Sequence, residues 1–509
     1  MTSEPQEPPG REEFVELAHF EVDERSVRLL EYDYCREHDV VVLGRAAAAD
    51  GPVTVGMLDP GRRKLVAEIA KALGRPVKAV RLNAWEVRRA LDQGYRVVTA
   101  ETEGTRLLLR AVRDFSFDRE GEVPGLLDEI LGRAVELGAS DVHIEVYEAD
   151  VDVRFRVDGL LRQVATPLSR DNVQAVLTRL KVLADLDIAE RRKAQDGRVK
   201  GLFRGAGKER EVDFRLSVVP GPFGEDAVLR LLDSTTPILG LERLGLGNET
   251  LAAFERLITN PEGLVLVTGP TGSGKTTTLY AAIARVNTPE NKILTAEDPI
   301  EYHFPKTNQK QVSAQMGFAD YARAFMRQNP DIILIGEIRD EDTASAALRA
   351  AQTGHLVLAT LHTNDAVRTV SRLRTLGVDP GMVAGCLLGA VSQRLLRRLC
   401  PHCRREALPA PADAARLRLP GDAPFFRAEG CEACQGRGYK GRVGVYELFV
   451  MDGELADLIA DGAPVHRLRT AAVEKGMKTL LEDALDKARA GVTSIEEVLR
   501  SVPYRIIHG

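Results

Sequence analysis

The chain has 509 residues, 44% of them hydrophobic and 28% charged, with a net charge of −6 at neutral pH. That is too long for one hydrophobic core, so about two to four domains are expected, and the acidic balance counts against a general nucleic-acid binder, which carries a basic domain or stripe. Six cysteines do not make a disulfide scaffold at this size, and the longest mainly apolar run, around Met382 to Val391, is far short of a membrane span.

In chain order, the start from Met1 to Arg11 is polar and acidic, without the basic and apolar regions of a secretory signal, and residues 1–10 read as a tail. Residues 1–113 read as a small α/β domain. Strands are predicted at Val40–Leu43, Val53–Met57 and Pro76–Val80, and helices at Lys64–Leu73 and Trp85–Leu91. No catalytic constellation is visible there, so a docking or regulatory role is favoured. The charged, glycine-containing stretch 114–123 reads as a linker.

A second domain is expected over 124–237. It opens with a helix, Leu126 to Leu137, that stops at Gly138. Alternating strands follow at Asp141–Val146, Val151–Val157, Arg210–Leu216 and Ala227–Leu232. Along Val151–Val157 the valines and Phe155 face one way, and Asp152, Arg154 and Arg156 the other. Arginines recur on this face in several strands, as on a solvated surface or an anion site.

The third domain, 241–509, contains the motif that organises the chain. Gly269 to Thr276 fits G-x-x-x-x-G-K-[ST]. The apolar run Leu264–Val267 before it reads as a buried strand, and Leu279, Ala282, Ile283 and Val286 after it mark one helix face. In that setting Gly269, Pro270, Thr271, Gly272, Ser273 and Gly274 can turn backbone N–H groups onto phosphate oxygens, with the helix N-terminus adding positive charge. Lys275 can reach the β- and γ-phosphates of ATP, Thr276 can hold Mg²⁺, and Thr277 is counted with the nucleotide-binding stretch.

Further strands are predicted at Lys292–Thr295, Asp331–Ile335 and Leu356–Leu361, separated by helical patterns, which implies a mostly parallel sheet with ligands at the strand ends. Glu337 follows the second of these strands, where a carboxylate can orient the attacking water or the metal. Phosphate-loop enzymes commonly carry Asp just before it, and here Gly336 takes that place. Glu297, Asp298 and Glu301 crowd three carboxylates into a short turn, which a shared cation or solvent must relieve. His355 and His362 flank the third strand and could together sense a γ-phosphate. Arg323, Arg327 and Arg339 are cationic candidates with weaker support, and the Pro/Ala-rich 408–415 reads as a loop.

Two C-x-x-C pairs, Cys400 with Cys403 and Cys431 with Cys434, supply four thiolates for a closed, structural Zn²⁺ site within about 396–446. A redox C-x-x-C is the rival. Cys35 and Cys386 read as ordinary buried thiols, and His402 as exposed or outside the ligand set.

These motifs resemble a known family. Ile293–Tyr302 looks like the aspartate box of the bacterial secretion ATPases, Ile333–Asp340 like their Walker B segment, and Thr353–Asp365 like their histidine box. Ser140–His143, Arg154–Gly159 and Gln195–Arg198 resemble the domain that precedes the motor. Over about Pro124 to Pro503 the chain is most similar to the type II secretion ATPases. The resemblance implies a RecA-like ATPase core after an α+β, PAS-like domain, assembled as a homo-hexamer. It implies that Arg215 and Arg230 reach the nucleotide phosphates, and that zinc occupies the tetracysteine subdomain. It also implies a cytoplasmic motor, peripheral on the inner membrane through the cytoplasmic parts of secretion-platform proteins, that drives assembly of a pseudopilus. A type IV pilus assembly or DNA-uptake ATPase is the alternative. From another class comes a nucleic-acid motor with a zinc ribbon, disfavoured by the acidic charge and an aromatic content of 5%.

Overall fold

The computed structural model describes residues 122–205, 208–232, 238–419 and 424–503 without interruption, together with Ile506, most of 22–43, most of 52–91, and 106–110. They form two compact units, taken in turn.

The first unit opens with helices α1 (Glu24–Val27) and α2 (Tyr32–His38), strands β1 (Val40–Leu43) and β2 (Val53–Met57), helix α3 (Arg63–Leu73) and strand β3 (Val77–Arg81). β1 runs antiparallel to β2, and β2 parallel to β3. The amphipathic α3 buries Leu65 and Ile69 and stops at Gly74, whose φ of 63° suits glycine. The expected strands and α3 are in place, whereas the helix expected from Trp85 falls partly outside the described residues.

A second sheet follows, with strand β4 (Arg106–Arg110), helix α4 (Glu122–Glu136), strands β5 (Ala139–Val146), β6 (Val151–Val157) and β7 (Leu160–Gln163), helix α5 (Val173–Leu183), and strands β8 (Gln195–Gly205), β9 (Lys208–Pro220) and β10 (Glu225–Leu232). Its order is β4-β8-β9-β10-β5-β6-β7. β4 pairs with β8, so residues 106–110 join this sheet and not the N-terminal domain expected to contain them. The expected linker overlaps α4, which begins at Glu122, and its residues 114–121 lie outside the described chain. Alternation decides the faces. Val153, Phe155, Phe214, Leu216 and Leu229 are buried, which leaves Arg154, Arg156, Arg215 and Arg230 on the opposite face. Lys181 is buried and donates to Glu225 Oε1 at 2.6 Å and to Glu190 O at 2.7 Å.

The second unit comprises helix α6 (Asn248–Ile258), strand β11 (Gly263–Thr268), helix α7 (Lys275–Val286), strands β12 (Ile293–Glu297) and β13 (Asn308–Gln311), helix α8 (Phe318–Phe325), strand β14 (Ile332–Ile335), helix α9 (Glu341–Gln352), strand β15 (Leu356–Leu361), helices α10 (Arg368–Thr375) and α11 (Pro380–Cys386) and strand β16 (Leu387–Leu399). Beyond these lie strand β17 (Arg404–Ala407), helix α12 (Pro411–Leu417), strands β18 (Phe425–Ala428) and β19 (Tyr439–Val450), and helices α13 (Gly453–Ala460), α14 (Val465–Glu474), α15 (Leu480–Arg489) and α16 (Ile495–Ser501). The sheet order is β13-β12-β14-β15-β11-β16-β19, parallel except at β19.

Both faces of this sheet are covered. Leu264, Leu266, Ile333, Ile335 and Val357 enter one apolar cluster, with α9, while Val265, Val267, Leu334, Leu356 and Leu358 enter the other, with α6 and α7. A strand buried on both faces needs no alternation, which is why β11, β14 and β15 read as continuous apolar runs. The stretch expected as a Pro/Ala-rich loop is instead mostly α12. Its Pro411 occupies the first helical turn, where the missing N–H costs nothing, and Ala414 and Leu417 are buried. Among the described residues no helix is long and apolar enough to cross a membrane.

Candidate functional site

The parallel register puts one set of chemical groups at one edge of the sheet. Gly263 pairs with Leu356 and Thr268 with Leu361, so the loop after β11 and the turn after β15 leave the sheet side by side. Thr268 Oγ1 donates to Leu361 O at 2.9 Å and accepts from Thr363 N at 2.8 Å, stitching the two together. Gly269, Gly272 and Gly274 have φ of 150°, 76° and 89°, values that a side chain would strain and that curl the backbone before α7. Lys275 Nζ folds back onto Gly269 O (3.0 Å) and Pro270 O (3.1 Å). Burial lowers the Lys275 pKa, with Glu337 opposing the shift. Thr276 is half-buried at the start of α7, and Thr277 is exposed.

Glu337 stands beside this loop. Its Oε2 accepts from Arg339 Nε at 2.7 Å and its Oε1 from His362 Nε2 at 3.0 Å. The carboxylate can only accept, so the His362 proton facing it sits on Nε2. Burial and then the Lys275 charge lower the His362 pKa, with Glu337 opposing the shift. A Cβ at Gly336 would lie 3.1 Å from Ala296 O and 3.1 Å from the Phe318 ring. A side chain there would have to push Ala296 O or the Phe318 ring back by a few tenths of an ångström, so the backbone is close-packed where an aspartate is common, and Glu337 supplies the carboxylate one residue on.

The other predicted residues divide. Glu297 is buried, accepting from the Tyr280 hydroxyl, from Thr295 Oγ1 at 2.5 Å and from Gln309 Nε2 at 3.0 Å. Its charge pushes the Tyr280 hydroxyl pKa up, after burial itself. Glu301 is exposed, while Asp298 lies 4.0 Å from Arg339, so the crowded acids part instead of sharing one cation. The two histidines separate as well, which corrects the expectation of a joint sensor. His355 precedes β15, its Nδ1 2.9 Å from Ala350 O and its carbonyl accepting from Gly263 N. It sits a full strand length, roughly 20 Å, from the end that leads to His362.

On the sheet of the first unit, Arg215 is half-buried on β9. Arg230 is opposite Asp141 in the β10/β5 register and pairs with it at 3.1 Å. The same carboxylate lies 3.4 Å from Arg156 Nε and accepts from Ser140 Oγ at 2.8 Å. Beside it, burial lowers the His143 pKa.

The four thiols of Cys400, Cys403, Cys431 and Cys434 lie within 4.8 Å of one another, and none is in a disulfide. Gly438 N and Cys431 N each donate to Cys434 Sγ at 3.2 Å. Gln435 (φ 52°), Gly436 and Gly438 (both 68°) fold the second knuckle. A tetrahedral zinc with bonds of about 2.3 Å sets its sulfurs about 3.8 Å apart, so the cluster has the size and donor set of a closed metal site. His402 is exposed.

Residues 117–500 match the family described as Type II/IV secretion system protein, and residues 11–101 match the MshEN domain. The chain belongs to the type II/IV secretion family. It is 45% identical over 386 residues to the type II secretion system ATPase E of Vibrio cholerae, covering 74% of each chain. It is 40% identical over 512 residues to the type IV pilus assembly ATPase PilB of Myxococcus xanthus, covering 95% of this chain and 88% of that one. Among solved structures it resembles the pilus retraction motor PilT with bound ADP, at a TM-score of 0.50 and 29% identity over 73% of this chain and 95% of that one. This membership makes the chain an ATPase.

Two residues that hold this secretion ATPase's site, Glu447 and Arg469, carried no sequence signal. Asp365 pairs with Arg368 at 2.9 Å and Arg469 at 2.8 Å. Buried Glu447 accepts from Ala366 N at 2.8 Å, and burial raises its pKa. Together they pin the turn that follows His362. Arg469 and Glu447 lie far along the chain from that turn, so no local pattern joins them.

Proposed function

We propose that this secretion ATPase hydrolyses ATP as a ring and uses the work to assemble a pseudopilus for type II secretion. The observation that carries the chemistry is the convergence of Lys275, Glu337 and His362 at one sheet edge. In this reading the phosphate loop and Lys275 hold the β- and γ-phosphates. Glu337 orients a water and accepts its proton as the water oxygen bonds the γ-phosphorus. The bond to the β–γ bridging oxygen breaks, and ADP and phosphate leave. His362 and Arg339 keep the carboxylate in place. Mg²⁺, when bound at Thr276, neutralises charge on the phosphate oxygens.

Arg215 and Arg230 serve the same phosphates from their own domain, with Asp141 holding Arg230 when no nucleotide engages it. Zn²⁺ fills the tetracysteine cluster as a structural ion. The ring is a homo-hexamer, peripheral on the inner membrane through platform proteins. Type IV pilus assembly is the second reading, favoured by the coverage of the Myxococcus relative.

The test measures ATP turnover of Arg215→Ala and Arg230→Ala in the full chain across protein concentrations. An arginine on the transferring phosphoryl contributes about 10³-fold or more. Folded variants with near-normal turnover would remove the arginines from the site. Constant specific activity down to monomer concentrations would remove the ring.

A further inference from the structure

Behind the phosphate loop lies a side chain that neither the motif nor the family boxes include. Gln393 is on β16, the strand that neighbours β11, and is 1% exposed. Its Nε2 donates to Ser273 O at 2.7 Å. Its Oε1 accepts from Thr278 Oγ1, in the first turns of α7, at 2.8 Å. Both ends of one buried amide are thus used, one on the loop and one on the helix that the loop feeds. The amide has one workable orientation, because Ser273 O can only accept.

A trans peptide points its C=O and its N–H in opposite directions. Fixing Ser273 O on Gln393, at the back of the loop, therefore aims the next N–H, that of Gly274, out of the front. That is the side on which a phosphate-binding nest presents its donors. Close packing reinforces the arrangement. A Cβ at Gly269 would lie 2.6 Å from Gln393 O, and a Cβ at Gly274 would lie 3.1 Å from Gln393 Nε2. Two of the motif's glycines are thus pressed against this one residue. Arg394, next in the strand, donates to Gln393 O at 2.9 Å and to Asn364 O at 3.0 Å. This ties the same strand to the turn after His362.

From this geometry we propose that Gln393 is a positioning residue for nucleotide binding, setting the direction of the Gly274 N–H by anchoring Ser273 O while Thr278 holds the amide. It rests on the reading of ATP as the substrate of this loop. It touches no phosphate itself.

The experiment is steady-state ATP hydrolysis by the full chain, comparing wild type with Gln393→Met and Gln393→Glu. Methionine keeps length and burial but cannot donate, and an ionised glutamate accepts from Thr278 but turns an acceptor toward Ser273 O. The nest holds phosphate in both the ground and the transition state, so its loss removes uniform binding. The expected result is a rise in KM of about tenfold, with kcat changed by less than about threefold. A merely structural role would lower kcat through fewer active molecules and leave KM alone, and that result overturns the proposal. An unchanged KM and kcat overturns it equally. Where these variants do not fold, Thr278→Val keeps the Ser273 contact but frees the amide to turn. Its KM should rise about threefold, the smaller effect of losing one hydrogen bond, and an unchanged KM overturns the proposal. Wild-type protein that shows no saturable ATP turnover would overturn both this inference and the ATP reading. A saturable wild type with unaltered variants overturns this inference alone.

Discussion

Glu337→Gln separates chemistry from binding at this site. The amide oxygen still accepts from Arg339 Nε, now at 2.7 Å from the carboxylate. The amide N–H₂ then faces His362 Nε2, which can accept it once the ring proton moves to Nδ1. At most one hydrogen bond is weakened at a partly exposed site, so stability should fall by only about 0.5–1.5 kcal/mol. The charge matters more. Lys275 loses a nearby anion and the bound phosphates lose a repulsive neighbour, so ATP affinity should hold or rise. What disappears is a base, because an amide is a very poor one. Loss of a positioned base costs about 10²- to 10⁴-fold, which at about 1.4 kcal/mol per tenfold is roughly 3–5 kcal/mol of barrier. Phosphate release under saturating ATP reads the rate, and fluorescent-nucleotide titration reads the affinity. Turnover within about threefold of wild type, with binding intact, would take Glu337 out of the base role and leave it as a partner of Arg339 and His362.

The histidines should behave differently. His362→Ala, which strips one donor from Glu337, should cut kcat by about tenfold or more. His355→Ala, at the far end of β15, should change kcat by less than about twofold; equal losses in the two would contradict their separation. Lys181→Met leaves Glu225 charged and buried, which should cost about 3–5 kcal/mol in denaturant unfolding of the first unit, while the double variant with Glu225→Leu should recover most of it. A single variant that unfolds like wild type would show the pair to be solvated. Freshly purified reduced protein should contain one equivalent of zinc by metal analysis. Cys434→Ser should lose it and raise protease sensitivity around 400–438 before the nucleotide core unfolds. Metal-free protein with an intact knuckle would refute the site.

The nucleotide side was readable from the sequence because its signals are local. The phosphate loop is a contiguous motif, and β11, β14 and β15 announce themselves as apolar runs since both their faces are covered. The cysteine pairs are legible for the same reason. The outer strands were not. β16 and β19 carry Gln393, Arg394, Arg397 and Glu447 among their apolar residues, and three of these polar side chains are at least nine-tenths buried through partners distant in sequence. Glu297 looked like part of an acidic site, and only the positions of Tyr280 and Gln309 turn it inward. Residues 106–110 were counted with the N-terminal domain because nothing local points to their partner, β8, about 90 residues further along the chain. The second domain's arginines read only as a solvated surface or an anion site, because the acid that Arg230 pairs with, Asp141, lies across the ladder and not beside it in the chain.

The last rung of the β16/β19 ladder joins Leu399 to Tyr439. The described residues between them, including both cysteine knuckles, β17, α12 and β18, leave the sheet and return to it at a single point. Such an excursion is modular. A short turn could replace it without moving either strand, since insertions are tolerated where the entering and leaving backbones are adjacent. Part of the cost would fall on one apolar cluster, where Leu417 and Phe425 pack with Leu480, Ile495 and Val498, and part on the hydrogen bond that Arg404 donates to Gly491 O at 2.6 Å. A shortened chain would have to replace those two side chains' cover, for example with polar residues on α15 and α16. With that repair, the cysteine-bearing segment could be gained, lost or exchanged between relatives as one cassette, while the catalytic sheet kept its register.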